Sequence, residues 1–64
     1  MQKITLKAAR INAGKSQFAA AEAVNVSEKT LSNWELGKTF PPADKFLRLC
    51  RFYQVEMTDI FLPE

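Results

Sequence analysis

Residues 17–36 read QFAAAEAVNVSEKTLSNWEL, and this stretch decides the fold of the chain. On both sides of Asn25 the apolar residues recur at spacings of three and four, which is typical of amphipathic helices. The residues expected to face inward are Ala20, Ala21, Val24, Val26, Leu31 and Trp34. About three residues, 25–27, separate the two predicted helices, and so short a connection does not allow antiparallel packing. The stretch therefore predicts two helices that cross at a steep angle, a helix-turn-helix geometry.

Capping residues mark the limits of three predicted helices. The expected N-caps are Thr5, Ser16 and Ser27, and the glycines expected just past helix C-termini are Gly14 and Gly37. The first helix has an inward stripe formed by Leu6, Ala9 and Ala13. The second and third helices are predicted over about residues 17–24 and 28–36.

The chain after the Pro41-Pro42 pair predicts the most strongly apolar helix, over about residues 44–53. Its inward stripe consists of Phe46, Leu49, Cys50 and Tyr53, and it is widened by Leu47. A short final helical turn over residues 57–61 is expected to fold Ile60 or Phe61 back on the core. Since no segment shows the alternating pattern of a strand, the sequence predicts an all-α fold of five short helices.

The composition excludes several other classes of protein. A chain of 64 residues makes one domain, 1–64, and a domain of this size buries only roughly 60% of the surface that its unfolded chain exposes. With one cysteine and no histidine, it lacks an intrachain disulfide, a mixed zinc site and the Ser–His or Cys–His pairs of nucleophilic enzymes. We therefore expect no enzyme activity, metal, cofactor or small-molecule ligand. Without a membrane-spanning or signal segment, the protein is expected to be cytoplasmic.

Basic residues are concentrated at the start of the chain. The first 15 residues carry four basic residues and no acidic one, whereas the rest of the chain carries five basic and seven acidic residues. This asymmetry fits a polyanionic partner, and it fits a solvated basic helix face equally well.

The residues around the predicted turn resemble the Cro/C1 repressor family, also called the XRE family. The similar segments are residues 6–10 (LKAAR), 17–36 and 32–38 (SNWELGK), and the resemblance covers essentially the whole chain. It implies a compact, five-helix, lambda-repressor-like DNA-binding domain, as found in phage and bacterial transcriptional regulators. The chain departs from the family pattern at Lys15, which replaces an apolar residue, at Asn25, which replaces a glycine, and at Phe18, Ala19 and Ala23, which replace charged residues.

The third helix enters the major groove in this family, so the resemblance implies base contacts from its outward residues, Glu28, Lys29, Ser32 and Asn33. Lys29 can donate to guanine, and Asn33 can pair with adenine or hold a phosphate. Glu28 either accepts from cytosine or only complements the helix dipole. The expected contacts to the DNA backbone are Ser16, Gln17, Ser27 and Lys38, with Gln17 presenting its side-chain amide to a phosphate.

Two further expectations concern charged and aromatic residues outside the third helix's outward face. Arg10 and Glu35 lie on helix faces that are otherwise apolar, and the family often pairs residues at the matching positions. The resemblance therefore implies an architectural ion pair between them. Phe18 is expected to be exposed, where it contacts either a thymine methyl or sugar, or a protein surface.

Two hypotheses of function follow. The first is a sequence-specific transcriptional regulator, a repressor or Cro-like protein, that binds double-stranded operator DNA as a homodimer. The expected dimer interface is apolar and consists of Phe40, Pro41, Met57, Phe61, Leu62 and Pro63. The second is a protein-interaction module on the same scaffold, such as an antitoxin or antirepressor, whose Ala- and Phe-rich second helix docks a partner. A steep fall of DNA affinity with salt distinguishes the first from the second.

Overall fold

The computed structural model describes residues 3–61, which form four α-helices and a small pair of strands. The elements in chain order are β1 (Ile4–Thr5), α1 (Leu6–Asn12), α2 (Gln17–Ala23), α3 (Glu28–Leu36), α4 (Ala43–Tyr53), a 3₁₀ turn (Met57–Asp59) and β2 (Ile60–Phe61). The predicted helix-turn-helix is therefore formed by α2 and α3. Leu62 and Pro63 of the expected dimer interface lie outside the described residues.

Side-chain caps begin the first three helices, as the sequence predicts. Thr5 Oγ1 accepts from the Ala8 amide at 3.0 Å, and Ser16 Oγ accepts from the Ala19 amide at 3.0 Å. Each satisfies an N–H group that has no partner within its helix. Gly37 ends α3 at a φ of 79°, in the left-handed region that glycine enters without steric penalty.

The end of the chain differs from the predicted fifth helix. Met57–Asp59 make a single 3₁₀ turn, and Ile60–Phe61 then run parallel to Ile4–Thr5. Ile4 pairs with Ile60 and Thr5 with Phe61, so the prediction of an all-α fold without strands is wrong here. Strands of two residues are too short to show an alternating pattern, and the pairing joins segments far apart in the sequence.

The core lies between the helices and is closed by the second strand. Its buried members are Leu6, Ala9, Ala20, Ala21, Val24, Leu31, Trp34, Phe46, Leu49, Cys50, Tyr53 and Ile60. Of the two residues expected to fold back at the end of the chain, Ile60 is buried and Phe61 is exposed. Leu47 is 37% exposed, so the prediction that it widens the inward stripe of α4 is wrong.

A side chain of α4 also holds the end of α2. The ammonium Nζ of Lys45 donates to the Val24 carbonyl at 2.9 Å, and Val24 is the C-cap of α2. The bond satisfies a carbonyl that the end of the helix leaves without a partner. Across residues 3–61, every helix falls short of the length and apolar character that crossing a membrane requires.

Candidate nucleic-acid interface

The turn between α2 and α3 forms at Asn25. Asn25 has a φ of 60°, a left-handed conformation that asparagine tolerates better than most residues. The amide of Val26 returns to the Ala21 carbonyl at 3.0 Å, which closes the turn. Asn25 thus supplies the left-handed residue of the turn that joins α2 to α3.

The polar face of α3 is held outward by two buried anchors, Leu31 and Trp34. Residues 28, 29, 32 and 33 lie on one face by helical spacing. Glu28 and Lys29 are exposed there, whereas Ser32 and Asn33 are half-buried. The four residues predicted to contact bases therefore form one accessible surface, which we call the α3 face.

The hydroxyl groups at the start of α3 form a small network that sequence reasoning missed. Ser27 Oγ accepts from the Thr30 amide at 3.1 Å and lies 3.0 Å from Thr30 Oγ1. The signal was present in the sequence, since a serine N-cap and a threonine three residues later share the first turn of a helix. Ser16 Oγ is likewise occupied as an acceptor, and within residues 3–61 its hydroxyl group donates no hydrogen bond.

Glu35 connects α3 to two other helices. Arg10 Nε on α1 donates to Glu35 Oε2 at 2.7 Å, and Arg10 Nη2 lies 3.4 Å from Glu35 Oε1. Arg10 Nη1 also donates to the Lys15 carbonyl at 3.0 Å. The hydrogen bond to Glu35 raises the pKa of Arg10 above its ordinary value, against the lowering effect of burial. The structure thus brings the expected ion pair together, with the Glu35 side chain only 3% exposed.

Gln17 lies in the same group, which differs from the expectation of a free side-chain amide. Its Nε2 donates to Glu35 Oε1 at 3.0 Å. One N–H of the amide is therefore occupied, while the second N–H and the carbonyl oxygen have no hydrogen bond within residues 3–61. We call Arg10, Gln17 and Glu35 the Glu35 cluster.

The ammonium group of Lys15 lies over the aromatic ring of Phe52. Its Nζ lies 4.9 Å from the centre of the Phe52 ring. The aliphatic stem of lysine can cover apolar surface while its ammonium group rests over an aromatic face.

The neighbouring residue, Tyr53, is buried, and burial raises the pKa of its phenol. Within the described part of the chain, Tyr53 Oη has no hydrogen-bond partner.

The remaining predicted contacts lie on the surface. Lys38 is exposed directly after α3, and its amide donates to the Asn33 carbonyl at 2.9 Å. Phe18 is 57% exposed on the first turn of α2.

Of the expected dimer residues, Phe40, Met57 and Phe61 are exposed and Pro41 is half-buried. Between residues 3 and 61, no group of three or more Asp, Glu or Cys residues is arranged to hold a metal ion.

A family model described as a helix-turn-helix domain matches residues 4–60. This chain belongs to the helix-turn-helix domain family. The match confirms the XRE-type resemblance inferred from the sequence. The domain is 42% identical over 57 residues to the HTH-type transcriptional regulator ImmR of Bacillus subtilis (strain 168). That alignment covers 89% of this chain and 44% of the relative, so the chain spans less than half of the relative's length. No solved structure matches the domain at a significant level.

Proposed function

We propose that this helix-turn-helix domain binds double-stranded DNA sequence-specifically and regulates transcription by occupying an operator, as a repressor or Cro-like protein. The observation that carries the proposal is the α3 face: two buried anchors hold the helix so that its polar residues share one accessible surface. The width of the major groove admits such a helix. The similarity to a protein named as a transcriptional regulator supports the same function.

Each side chain of the α3 face has a role that its chemistry allows. Lys29 donates to guanine O6 and N7, and Asn33 pairs with an adenine edge or holds a phosphate. Glu28 accepts from cytosine N4, and Ser32 is small enough to approach a base or the backbone. These four residues specify the operator sequence.

The backbone contacts surround this face. They come from Ser16, Gln17, Ser27 and Lys38. Ser16 donates through its free hydroxyl hydrogen, and Gln17 donates through the amide N–H that Glu35 leaves unused. The Glu35 cluster is architectural, because it holds α1, the start of α2 and the end of α3 in one arrangement.

A single domain of residues 1–64 reads only a few base pairs, so the functional form is a homodimer on a near-palindromic site. Its half-sites lie about one helical turn of DNA apart. It acts in the cytoplasm without a cofactor or any chemical step.

Selection of binding sites from a random DNA pool tests this function. We expect an enriched, two-fold symmetric sequence, and an affinity that falls steeply with salt because several phosphates are neutralised. Recovery of no enriched sequence, together with weak retention on any DNA, would overturn the proposal.

A second candidate function rests on the exposed Phe18. Phe18 stands on the first turn of a helix that also carries the half-buried Ala19 and the exposed Ala23. An exposed aromatic side chain on a helix whose neighbouring side chains are small suits docking to a protein, as in an antitoxin or antirepressor. Loss of protein binding in Phe18→Ala with unchanged DNA binding would support this function.

A further inference from the structure

The peptide group between Val24 and Asn25 sets the direction in which the chain leaves α2. Val24 is the C-cap of α2 with a ψ of 10°, and Asn25 follows with a φ of 60°. Because a peptide group is planar, it can rotate only through these two dihedral angles. A rotation of this plane therefore turns the chain that follows, including α3.

Both polar groups of this peptide are bonded, and their partners lie on two different helices. The N–H of Asn25 donates to the Glu22 carbonyl of α2 at 3.1 Å. The carbonyl, which belongs to Val24, accepts from Nζ of Lys45 on α4 at 2.9 Å. Within residues 3–61 no backbone N–H donates to this carbonyl, so the ammonium group is its partner. The plane is thus held by α2 on one side and by α4 on the other.

Lys45 is placed to act on this peptide and on nothing that it shares with DNA. It lies on the first turn of α4, and its side chain is half-buried. The neighbouring Phe46 is a member of the core, which fixes the start of α4 against the other helices. Hydrogen bonds from charged donors are the stronger ones. The bond joins residues 21 positions apart, so it makes the direction of the turn depend on the packing of α4.

We infer that Lys45 is a positioning residue for the α3 face. By holding the Val24 carbonyl it fixes the direction of α3, and with it the approach of Lys29 and Asn33 to the bases. The inference rests on the proposed function, because it concerns the reading of base pairs. Base contacts need precise placement, whereas the attraction between basic side chains and phosphates acts over a longer range. Loss of the bond therefore reduces discrimination between DNA sequences more than it reduces affinity for DNA in general.

Lys45→Met tests the inference, because methionine keeps an unbranched side chain and removes the donor. The probes are the duplex enriched from the random DNA pool and a duplex of shuffled sequence. We expect the ratio of the two affinities to fall about tenfold, while the affinity for the shuffled duplex changes by less than about twofold. The slope of log affinity against log salt should stay the same, because no phosphate contact is lost. Lys45→Arg keeps a charged donor and should retain most of the ratio.

Two control variants separate positioning from charge and from stability. Arg48→Met removes a positive charge from an exposed position of α4, and it should leave the ratio of affinities unchanged. Thr5→Ala removes the N-cap of α1, and it should lower the midpoint of thermal unfolding without changing the ratio.

Two results for Lys45→Met would overturn the inference. A lower midpoint of thermal unfolding with an unchanged ratio of affinities would show that Lys45 only stabilises the fold. An equal loss of affinity for both duplexes, with a salt slope reduced by about one, would make Lys45 a phosphate contact instead.

Amide hydrogen exchange tests the same role without DNA. The amide of Val26 donates to Ala21 and closes the turn, so its exchange reports the opening of the turn. Relative to the amide of Leu49 in α4, it should exchange about tenfold faster in Lys45→Met and at an unchanged rate in Arg48→Met.

These measurements separate the inference from the proposed function. A domain that selects no operator contradicts the proposed function, and faster exchange at the turn in Lys45→Met then still supports the part of Lys45 in fixing α3. Unchanged relative exchange contradicts the inference whether or not an operator is found.

Discussion

Gln17 Nε2 donates a hydrogen bond to Glu35 Oε1 at 3.0 Å, which joins the first turn of α2 to the last turn of α3. The turn at Asn25 joins the opposite ends of the same two helices. The angle between them is therefore held at both ends, and Arg10 attaches α1 to the same carboxylate. A rigid pair of helices suits DNA recognition, because the distance between a phosphate contact and a base contact must be reproducible.

Replacing Glu35 should destabilise the domain strongly. Glu35→Ala leaves the guanidinium of Arg10 without its partner in a site where little water reaches it, and we expect a loss of roughly 3–5 kcal/mol in the free energy of unfolding, measured with urea. The double variant Arg10→Met with Glu35→Leu should recover most of this loss, because it removes both charges from the site. Gln17→Ala should cost only about 1 kcal/mol, the value of one hydrogen bond. Equal losses of unfolding free energy in Glu35→Ala and Gln17→Ala would contradict this account of the Glu35 cluster.

Replacing Gln54 with glycine should stabilise the domain. Gln54 ends α4 at a φ of 61°, a left-handed conformation that disfavours residues with a Cβ atom by about 1–2 kcal/mol. Part of this gain is offset by the greater freedom of glycine in the unfolded chain, so we expect a net increase of about 0.5–1 kcal/mol. Thermal unfolding provides the measurement, and Gln54→Val should shift the midpoint in the opposite direction. A lower midpoint for Gln54→Gly would show that the glutamine side chain makes a contribution of its own.

Removing the hydroxyl of Tyr53 should leave stability unchanged or raise it slightly at neutral pH. The hydroxyl is buried without a hydrogen-bond partner among the described residues, so Tyr53→Phe removes a desolvation penalty and little else. Tyr53→Ala, by contrast, creates a cavity and should cost about 3–5 kcal/mol. A loss of more than about 1 kcal/mol in Tyr53→Phe would reveal a bonded group or a bound water at Oη.

The same phenol should make stability fall at alkaline pH. Burial raises the pKa of Tyr53 in the folded state, so the folded domain keeps its proton at pH values where the unfolded chain has lost it. Its contribution is complete below the unfolded pKa of about 10 and is lost as pH rises from there towards the folded pKa. The chain has one tyrosine, so the near-ultraviolet absorbance of tyrosinate reports this group directly. Tyr53→Phe should abolish the part of the alkaline loss that this phenol causes.

Lys29 and Lys38 should affect DNA binding in different ways. Lys29→Ala should lower the affinity for the selected operator by about 1–3 kcal/mol and relax the preference at one base position. Lys38→Ala should weaken binding to all sequences alike and reduce the slope of log affinity against log salt by about one. Arg48→Ala removes one positive charge from an exposed position of α4 and serves as the control. Identical profiles for the two lysine variants would show that Lys29 does not read a base.

Sequence reasoning succeeded where short-range interactions decide the structure. The N-caps Thr5, Ser16 and Ser27 and the C-terminal Gly37 were predicted because each acts on groups within a few residues. It failed at Leu47, since a stripe of apolar residues does not show where the core ends. It also missed the occupied amide of Gln17, which depends on a carboxylate 18 residues away.

The sequence by itself determined the four helices, the N-caps of the first three and the turn at Asn25, because these depend on local backbone preferences and on apolar periodicity. Only the tertiary structure decided the pairing of Ile4 with Ile60, the place of Lys15 over Phe52 and the hydrogen bond of Gln17 to Glu35. These features join residues far apart in the chain, and packing of the whole domain determines which of them meet. Local backbone preferences do not determine which distant residues come into contact. These contacts are set when the helices pack and bury their apolar faces together.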